Sequence, residues 1–385
     1  MRITRLLSKL ALTPIRVIVY AVLVFAVVLG AIAFTVFRDD IDEGTLNSIV
    51  GSFARPDGQI AAAVSIDGNT QNQYGLYGER LAVLSPERLV LYDASGNESS
   101  SAAIHMENPR LRAAGDKVLV FDRAGTACIV AGKDGVELEI NNPDQPIVTA
   151  RVTEDNWFAV ATEQSGYRGV VTVYDNENDI RYYSYLAESG YITEIALSKD
   201  GSRLAVGSVR QEKDATISRL TLSRTNSETP DAVIDIPDQL ILRAEYMGRD
   251  RLCVLLEYEV RFYDMEGETV SSYPLDDRYY LGAEITPEMC VLRTSRQTGD
   301  YRGGLTLLDK NGKVIGDIAL EETQIDAFSA GGSYAGILQG GALALYNDKA
   351  ELCFYEENLS EHRNLLVTAD GSVLLIAHDK AIWLQ

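Results

Sequence analysis

Hydrophobic and polar residues alternate with a period of two along most of the chain after residue 58, and short polar turns interrupt the alternation at regular intervals. This alternation is typical of β-strands with one buried face, whereas a helix repeats its apolar positions three and four residues apart. No useful stretch with the helical spacing follows residue 58. The pattern therefore predicts an all-β domain.

A unit made of an apolar strand, a tight polar turn and a second apolar strand occurs eight times. Four antiparallel strands repeated about every 40 residues are typical of a β-propeller blade. We therefore predict an eight-bladed β-propeller, with seven blades as the alternative if one weak copy merges with its neighbour. The second strands of the copies are expected near Ala82, Leu119, Ala159, Ala205, Cys253, Val291, Gly336 and Leu374.

A second unit follows most copies of the first and consists of a strand that ends in Asp or Asn, a turn and another strand. Asp can begin such a turn because its side chain accepts a hydrogen bond from a backbone N–H two residues on. Gly can end the turn because it adopts positive φ without strain. The clearest cases begin at Asp93, Asp175 and Asp264, and the stretches at Asp309 and Asn347 continue the series.

The two ends of the propeller segment are expected to pair. The segment 363–385 supplies three strands, and 59–66 is expected to supply the fourth strand of that blade. Such a closure leaves no open sheet edge. We therefore assign 59–385 to the propeller.

A 21-residue apolar run at 17–37 is long enough to cross a bilayer as a helix. Arg2, Arg5, Lys9 and Arg16 precede the run, whereas four carboxylates follow Arg38 within five residues. Because basic flanks tend to stay in the cytoplasm, we predict a single-pass signal-anchor in the cell membrane. The tail 1–16 would be cytoplasmic, 38–58 an acidic stalk, and the propeller extracytoplasmic.

The alternative for this segment is a cleaved signal peptide, because Ala31-Ile32-Ala33 resembles a cleavage site. The apolar run continues past that site to Phe37 and is longer than a typical signal-peptide core. These two features favour a retained span in contact with the lipid bilayer.

The charge of the chain excludes some classes of partner. Residues 1–38 contain five basic residues and no Asp or Glu. Residues 39–385 therefore contain 30 basic and 56 acidic residues, and their net charge is −26. Such a domain repels phosphates, so we expect no nucleic-acid partner.

Two stretches resemble the family termed domain of unknown function 5711: Thr162 to Asp175 and Gly190 to Gly201. The resemblance covers nearly the whole chain and is most specific over 150–206. It implies a short basic tail, one membrane span and a quinoprotein-like or WD40-like propeller. The family brings no established activity, so the resemblance does not supply a mechanism.

No catalytic constellation is recognisable in the sequence, and we predict a protein that is not an enzyme and has no catalytic, cofactor-binding or metal-binding residues. The motifs H-E-x-x-H and G-x-S-x-G are absent. The three isolated histidines, His105, His362 and His378, are expected at the surface.

Two further groups of residues have side chains that could bind a metal or form a disulfide. The four cysteines are expected as buried thiols in separate strands, with a disulfide between distant strands left open. The run from Asp175 to Asp179 places oxygens at alternate positions, but Ile180 and Leu186 stand where a Ca²⁺ loop needs Gly and Glu. We interpret it as a hairpin turn.

Enlarged loops indicate a recognition surface instead. In a propeller, the loops between second and third strands and the connections between blades share one rim. Tyr and Arg give large contact area and directed hydrogen bonds at such surfaces. The candidate recognition residues are Tyr167, Arg168, Tyr191, Tyr279, Tyr280, Tyr301 and Arg302.

We therefore expect a membrane-tethered binding or scaffold module for a protein, a peptide or an envelope polymer. The alternative is a sensor or enzyme that binds a small ligand at the mouth of the central channel. The carboxylates expected to serve that alternative are Asp144, Glu188, Asp277 and Glu321.

Overall fold

Every helix or strand in the computed structural model is a β-strand within the described residues, which are 60–186, 190–295, 303–320 and 325–384. None of these residues forms a helix that could cross a membrane. The predicted span at 17–37, the tail and the stalk lie outside the described part of the chain.

The described residues contain thirty-two strands, which form eight antiparallel sheets of four strands each. In chain order the first strand is β1 (Ile60–Ser65). Blade 1 contains β2 (Gln73–Tyr77), β3 (Arg80–Leu84), β4 (Arg88–Tyr92) and β5 (Glu98–Ala103). Blade 2 contains β6 (Pro109–Ala114), β7 (Lys117–Asp122), β8 (Ala127–Gly132) and β9 (Gly135–Asn141). Blade 3 contains β10 (Ile147–Val152), β11 (Phe158–Gln164), β12 (Tyr167–Tyr174) and β13 (Ile180–Leu186). Blade 4 contains β14 (Tyr191–Leu197), β15 (Arg203–Glu212), β16 (Ala215–Arg224) and β17 (Ala232–Pro237).

The second half of the chain repeats this arrangement. Blade 5 contains β18 (Ile241–Met247), β19 (Arg251–Leu256), β20 (Glu259–Tyr263) and β21 (Thr269–Pro274). Blade 6 contains β22 (Tyr279–Ile285), β23 (Met289–Ser295), β24 (Gly304–Asp309) and β25 (Val314–Ala319). Blade 7 contains β26 (Ile325–Gly331), β27 (Tyr334–Gln339), β28 (Ala342–Tyr346) and β29 (Leu352–Glu356). Blade 8 contains β30 (Asn364–Val367), β31 (Val373–Ile376), β32 (Lys380–Leu384) and β1.

The predicted eight-bladed propeller is confirmed, and the seven-bladed alternative is not. Each position expected in a second strand lies in the second strand of its own blade. The first strands of most neighbouring blades contact each other, as β14 contacts β18 and β26 contacts β30, which is the arrangement of strands around a central channel. The fourth strands lie outermost and alternate between exposed and half-buried residues, as in β5 and β21.

The ring closes through blade 8, whose strand order is β1-β32-β31-β30. Strand β1 pairs antiparallel with β32, and Ala63 faces Ile382 while Ser65 faces Lys380. Residues from the beginning and the end of the propeller segment therefore share one sheet, which removes the free edge that an open ring would expose.

The hydrophobic core is divided into eight clusters, one at each contact between neighbouring blades. Tyr77 and Leu84 of blade 1, for example, pack with Val118 and Val120 of blade 2. Trp383 of blade 8 packs with Leu81 of blade 1, which extends the same arrangement across the closure. The alternating side chains of the second and third strands supply most of this core.

The turn from third to fourth strand has the same structure in five blades. In each, the side-chain Oδ1 of an Asp or Asn accepts hydrogen bonds from the backbone N–H groups two and four residues on, over 2.8 to 3.0 Å. The residue three positions on has positive φ, and in blade 6 this residue is Gly312. The predicted role of Asp and Gly in these turns is confirmed.

Candidate functional site

A groove of about 280 Å³ lies at the contact between blades 3 and 4. It is built from three pieces of chain: the connection from β9 to β10, the hairpin between β11 and β12, and the first residue of β14. Its lining residues are Asp144, Pro146, Glu163, Gln164, Ser165, Tyr167, Arg168 and Tyr191. Three of the residues predicted for recognition therefore lie together.

The hairpin between β11 and β12 positions Tyr167 and Arg168. Gln164 pairs with Tyr167 across a two-residue turn, in which Gly166 has a φ of 87°. The pairing register shifts between Thr162 and Gln164, so that the hairpin tip is displaced from the regular ladder. The Glu163 N–H donates to the Pro146 carbonyl over 2.8 Å and fixes the hairpin against the preceding connection.

Arg168 and Tyr191 connect the two blades at this groove. The Arg168 guanidinium lies over the Tyr191 ring, with 4.5 Å between Cζ and the ring centroid. Tyr191 is 56% exposed and Tyr167 is 40% exposed, although both side chains are large and partly apolar. An Arg held over an aromatic ring next to a second exposed aromatic is an arrangement that suits recognition of another molecule.

The other predicted recognition residues do not join this groove. Tyr279, the first residue of β22, is exposed on blade 6. Tyr280 packs against the core cluster between blades 5 and 6, and burial raises the pKa of its hydroxyl. Its ring is therefore mainly a packing element. Tyr301 and Arg302 lie outside the described residues.

Sequence reasoning missed three exposed apolar residues on the same rim of the propeller. Leu240 and Leu242 lie at the entry to the first strand of blade 5, and Tyr258, which is 64% exposed, lies in the turn between β19 and β20. The available signal was the apolar pair Leu240 and Leu242, which directly follows a polar connection between blades. Together with the groove and Tyr279, these residues form what we call the rim arc, which runs over blades 3 to 6.

The rim arc is distinct from the remaining exposed apolar side chains of the described residues. All the other large hydrophobic residues that are exposed lie on fourth strands, at the outer edge of the blades: Val136, Ile180, Val233, Val270, Val314, Leu352 and Tyr355. A fourth strand is the outer edge of its sheet and pairs with a strand on one side only, so single exposed apolar residues there need no functional explanation. The exposed apolar residues of the rim arc do not lie on fourth strands, so this explanation does not apply to them.

Of the carboxylates proposed for the small-ligand alternative, Asp144 lines the groove and Asp277 is exposed between β21 and β22. Glu188 and Glu321 lie outside the described residues. The central channel instead contains charged side chains from the first strands, which we call the channel cluster. Its members are Arg112, Arg151, Glu194, Arg243, Glu245 and Glu284.

Burial shifts the pKa values of several side chains in the channel cluster. Burial raises the pKa of Glu194, while Arg151 beside it acts in the opposite direction. Burial likewise raises the pKa of Glu284, which Arg243 partly offsets. Burial and the charge of Arg151 lower the pKa of Arg112 to about 10. The signal for this cluster in the sequence was one or two charged residues in an otherwise apolar first strand.

The carboxylates of Asp175, Glu177 and Asp179 approach within 4.8 Å of one another, and they belong to the turn that the other blades share. The Asp175 Oδ1 accepts the N–H groups of Glu177 and Asp179, and its Oδ2 accepts from Arg181. The expected hairpin turn is thus present.

The surface position expected for all three histidines was wrong for His362. His105 and His378 are exposed, whereas His362 is 2% exposed and its Nδ1 lies 3.2 Å from the Leu359 carbonyl. Burial lowers the pKa of His362. A tight turn after Leu359 places the imidazole in the interior, which an isolated His in a sequence does not reveal.

Cys128, Cys253 and Cys290 are buried thiols, and Cys353 is half-buried. Burial raises the pKa of Cys128 to about 12 and also raises that of Cys253, which lies next to Cys290 in the neighbouring blade. Because the thiolate is the reactive form, Cys128 and Cys253 are held in their unreactive state.

Solved structures similar to this protein are β-propellers. The C-terminal WD40 domain of Sif2 superposes with a TM-score of 0.53 at 10% sequence identity, covering 86% of this chain and 97% of that one. The β-propeller domain of Cps50 (Swd1) from Myceliophteria thermophila gives a TM-score of 0.48 at 12% identity, covering 85% and 99%. No curated protein sequence matches the chain.

The Sif2 likeness supports a WD40-like fold and, at this identity, the fold alone. A sequence match then assigns the family, because it extends over residues 57–382 and so over most of the chain. The protein belongs to the family of unknown function DUF5711.

Proposed function

We propose that this protein is a membrane-anchored, extracytoplasmic WD40-like propeller that binds a protein or peptide, or else a polymer of the cell envelope, without catalysing a reaction. The observation that carries the proposal is the groove between blades 3 and 4, where Tyr167, Arg168 and Tyr191 lie together. The rim arc extends this surface over four blades with apolar side chains that no neighbouring strand covers.

The chemistry of the groove narrows the class of partner. Among the described residues that line the groove, Asp144 and Glu163 contribute two carboxylates and Arg168 contributes the single cation. The chain beyond Arg38 carries 30 basic and 56 acidic residues, which adds a negative long-range field. A partner segment with an aromatic or aliphatic side chain next to a Lys or Arg would complement both the exposed tyrosine rings and the negative charge of the groove.

Membrane attachment is the second part of the proposal. It rests on the apolar run at 17–37, on the basic residues that precede it, and on the carboxylates that follow it. A tethered propeller would hold its rim near other envelope components and raise their effective concentration at the groove.

The experiment is affinity capture with the full chain in nanodiscs. Solubilised envelope is passed over wild-type protein, over a Tyr167→Ala/Tyr191→Ala variant, and over a Tyr355→Ala control on an outer strand. We expect the same proteins or polymer fragments to be retained by the wild type and the control, and to be reduced at least tenfold by the double variant. Equal retention by all three proteins would remove the groove from the proposal.

A further inference from the structure

Three exposed apolar side chains lie together at the rim of blade 5, and we call them the blade 5 patch: Leu240, Leu242 and Tyr258. Leu240 and Leu242 flank Ile241, which is buried in the core, so the two leucines are turned away from that core. Ile241 pairs with Leu256 across the sheet. This register brings the start of β18 beside the turn that carries Tyr258, and the three side chains are therefore neighbours.

Hydrogen bonds fix the two segments that carry the blade 5 patch. The Leu240 N–H donates to Oε2 of Glu257 over 2.9 Å. The Tyr258 N–H donates to Oε1 of Gln239 over 3.3 Å. The Gln239 side chain also donates to Oε1 of Glu259 over 3.0 Å. The connection before β18 and the turn between β19 and β20 are thus joined by three bonds, so the patch is ordered before a partner binds.

The exposure of the blade 5 patch is large for side chains of this kind. Tyr258 is 64% exposed, which is the largest exposed fraction among the large hydrophobic residues of the described chain, and Leu242 is 39% exposed. The Leu275 N–H donates to the Tyr258 carbonyl over 2.8 Å, so the connection from blade 5 to blade 6 borders the patch as well. A rigid aromatic ring beside aliphatic side chains is a common anchor for a partner.

Carboxylates lie on all three segments around the blade 5 patch. Asp238 precedes the patch on the connection from blade 4, and Glu257 precedes Tyr258 in the turn. Asp276 and Asp277 are exposed on the connection to blade 6. Among the described residues, none of these four carboxylates has a Lys, Arg or His nitrogen within 4.0 Å.

The arginines close to the blade 5 patch along the chain have partners of their own. Arg261 lies 2.5 Å from Oε1 of Glu259, and Arg243 lies 3.5 Å from Oε1 of Glu245. Arg278 donates to two backbone carbonyls, over 3.2 and 3.3 Å. The border of the patch therefore carries unpaired negative charge, and cationic side chains of a partner can approach it without breaking an internal ion pair.

We propose that the blade 5 patch binds a basic segment of a protein or peptide, with aliphatic or aromatic side chains on Leu242 and Tyr258 and with Lys or Arg beside the bordering carboxylates. This inference rests on the proposed function and deepens it, because it selects a peptide partner over an envelope polymer for this part of the rim arc. The same patch of a second copy would bring like charges to the contact, and an anionic bilayer surface would be repelled for the same reason.

The first arm of the test uses the full chain in phosphatidylcholine nanodiscs, with empty nanodiscs as the blank. The probe is a short fluorescent peptide of alternating Leu and Lys, and its binding is followed by anisotropy. Peptides of the same length made of Ser and Lys, or of Leu and Glu, are the half-ligands. We expect the Leu/Lys peptide to bind at least tenfold more tightly than either. Its affinity should fall with added salt, because the bordering carboxylates are exposed.

The second arm tests the apolar contact. Leu242→Ala/Tyr258→Ala should weaken binding of the Leu/Lys peptide at least tenfold, because it removes the apolar anchors. Leu352→Ala/Tyr355→Ala is the matched control, since it changes the same residue types at exposed positions of the outer strand β29. The control should bind as the wild type does. The Tm of each variant checks that it is folded.

The third arm tests the charge. Asp276→Asn/Asp277→Asn should weaken binding about 3- to 10-fold at low salt and have little effect at high salt, since exposed charges are screened. Asn tolerates the positive φ of residue 276. Glu266→Gln/Glu268→Gln, at exposed carboxylates in the turn between β20 and β21, is the matched control and should keep the wild-type affinity.

Equal affinity of the Leu242→Ala/Tyr258→Ala variant and its control would show that the peptide follows only the overall negative charge, and would overturn the proposal. Equal binding of the Leu/Lys and Ser/Lys peptides would do the same. A dimer, or attachment to lipid vesicles, that this variant abolishes would assign the patch to a second copy or to a bilayer instead. Tyr167→Ala/Tyr191→Ala should bind the Leu/Lys peptide normally, so a failure of the groove and a failure of the patch are distinguished.

Discussion

The Arg168 guanidinium lies over the ring of Tyr191, and this contact links a hairpin of blade 3 to the first strand of blade 4. Neither side chain is part of the hydrophobic core, and the Tyr191 ring remains more than half exposed. Because the contact already orders the two side chains, binding of a partner costs less side-chain conformational entropy. The groove is therefore preorganised by a contact that contributes little to the stability of the fold.

This contact predicts a small but measurable coupling between Arg168 and Tyr191. In a double-mutant cycle with Arg168→Ala and Tyr191→Ala, we expect a coupling energy of about 0.5 to 1 kcal/mol in the free energy of unfolding, as for exposed cation–π pairs. Urea unfolding of the four proteins measures it. Tyr355→Ala in place of Tyr191→Ala is the control and should give no coupling, and strictly additive effects of Arg168→Ala and Tyr191→Ala would contradict the prediction.

The repeated turn predicts which substitution of Asp309 the fold tolerates. Asp309→Ala removes the acceptor for the N–H groups of Asn311 and Lys313 and should lower the free energy of unfolding by about 1 to 2 kcal/mol. Asp309→Asn should be nearly neutral, because Asn347 makes the same two bonds in blade 7. Denaturant unfolding distinguishes the two variants. Equal losses for both would show that the charge of Asp309, and not its acceptor geometry, holds the turn.

The features that could be predicted from the sequence are those set by neighbours along the chain. The turn from Asp309 to Gly312 is local, and so is the alternation that places Leu119 or Leu374 in a second strand. The meeting of Arg168 with Tyr191 also follows from the shared rim of adjacent blades. Whether the groove and rim arc recognise a partner remains a prediction.

Other features depend on the ring as a whole and are not visible along the chain. Arg151 and Glu245 are separated by blade 4, and they meet only because eight blades close around a narrow channel. Tyr280 and Tyr279 are neighbours in the sequence, yet the pleat of β22 turns Tyr280 toward the core. His362 is likewise buried in the connection from β29 to β30, and its position along the chain does not reveal this.

His362 predicts a loss of stability at mildly acidic pH. Burial lowers its pKa in the folded protein, whereas the unfolded chain takes up a proton near pH 6.5. The neutral imidazole is thus favoured by folding. Its contribution is fully present above about pH 6.5 and is lost as the pH falls through the lower pKa of the folded state.

The measurement is the free energy of unfolding from pH 7.5 to 5, above the range in which most carboxylates titrate. His362→Gln should make this profile flatter than that of the wild type. His105→Gln, at an exposed position, is the matched control and should retain the wild-type profile. A wild-type slope in His362→Gln would show that another group causes the pH dependence.

The proposed membrane topology predicts an asymmetric response to protease. When protease is added to intact protoplasts, cleavage in the acidic stalk at 52–57 should release a fragment that contains the whole propeller, while the basic tail stays protected. Antibodies to tags at each end of the chain report both products. Digestion of the tail with protection of the propeller would reverse the topology, and permeabilised protoplasts provide the control in which both ends are accessible.

The central claim is that the groove between blades 3 and 4 contacts a partner in the cell. It is tested most directly by site-specific photocrosslinking in living cells, with p-benzoylphenylalanine in place of Tyr167 and, as control, in place of Tyr355. We predict one discrete crosslinked product from position 167, which disappears when Tyr191→Ala is added, and no such product from position 355. The absence of a product from folded protein with the probe at 167, or the same product from 355, would contradict the account.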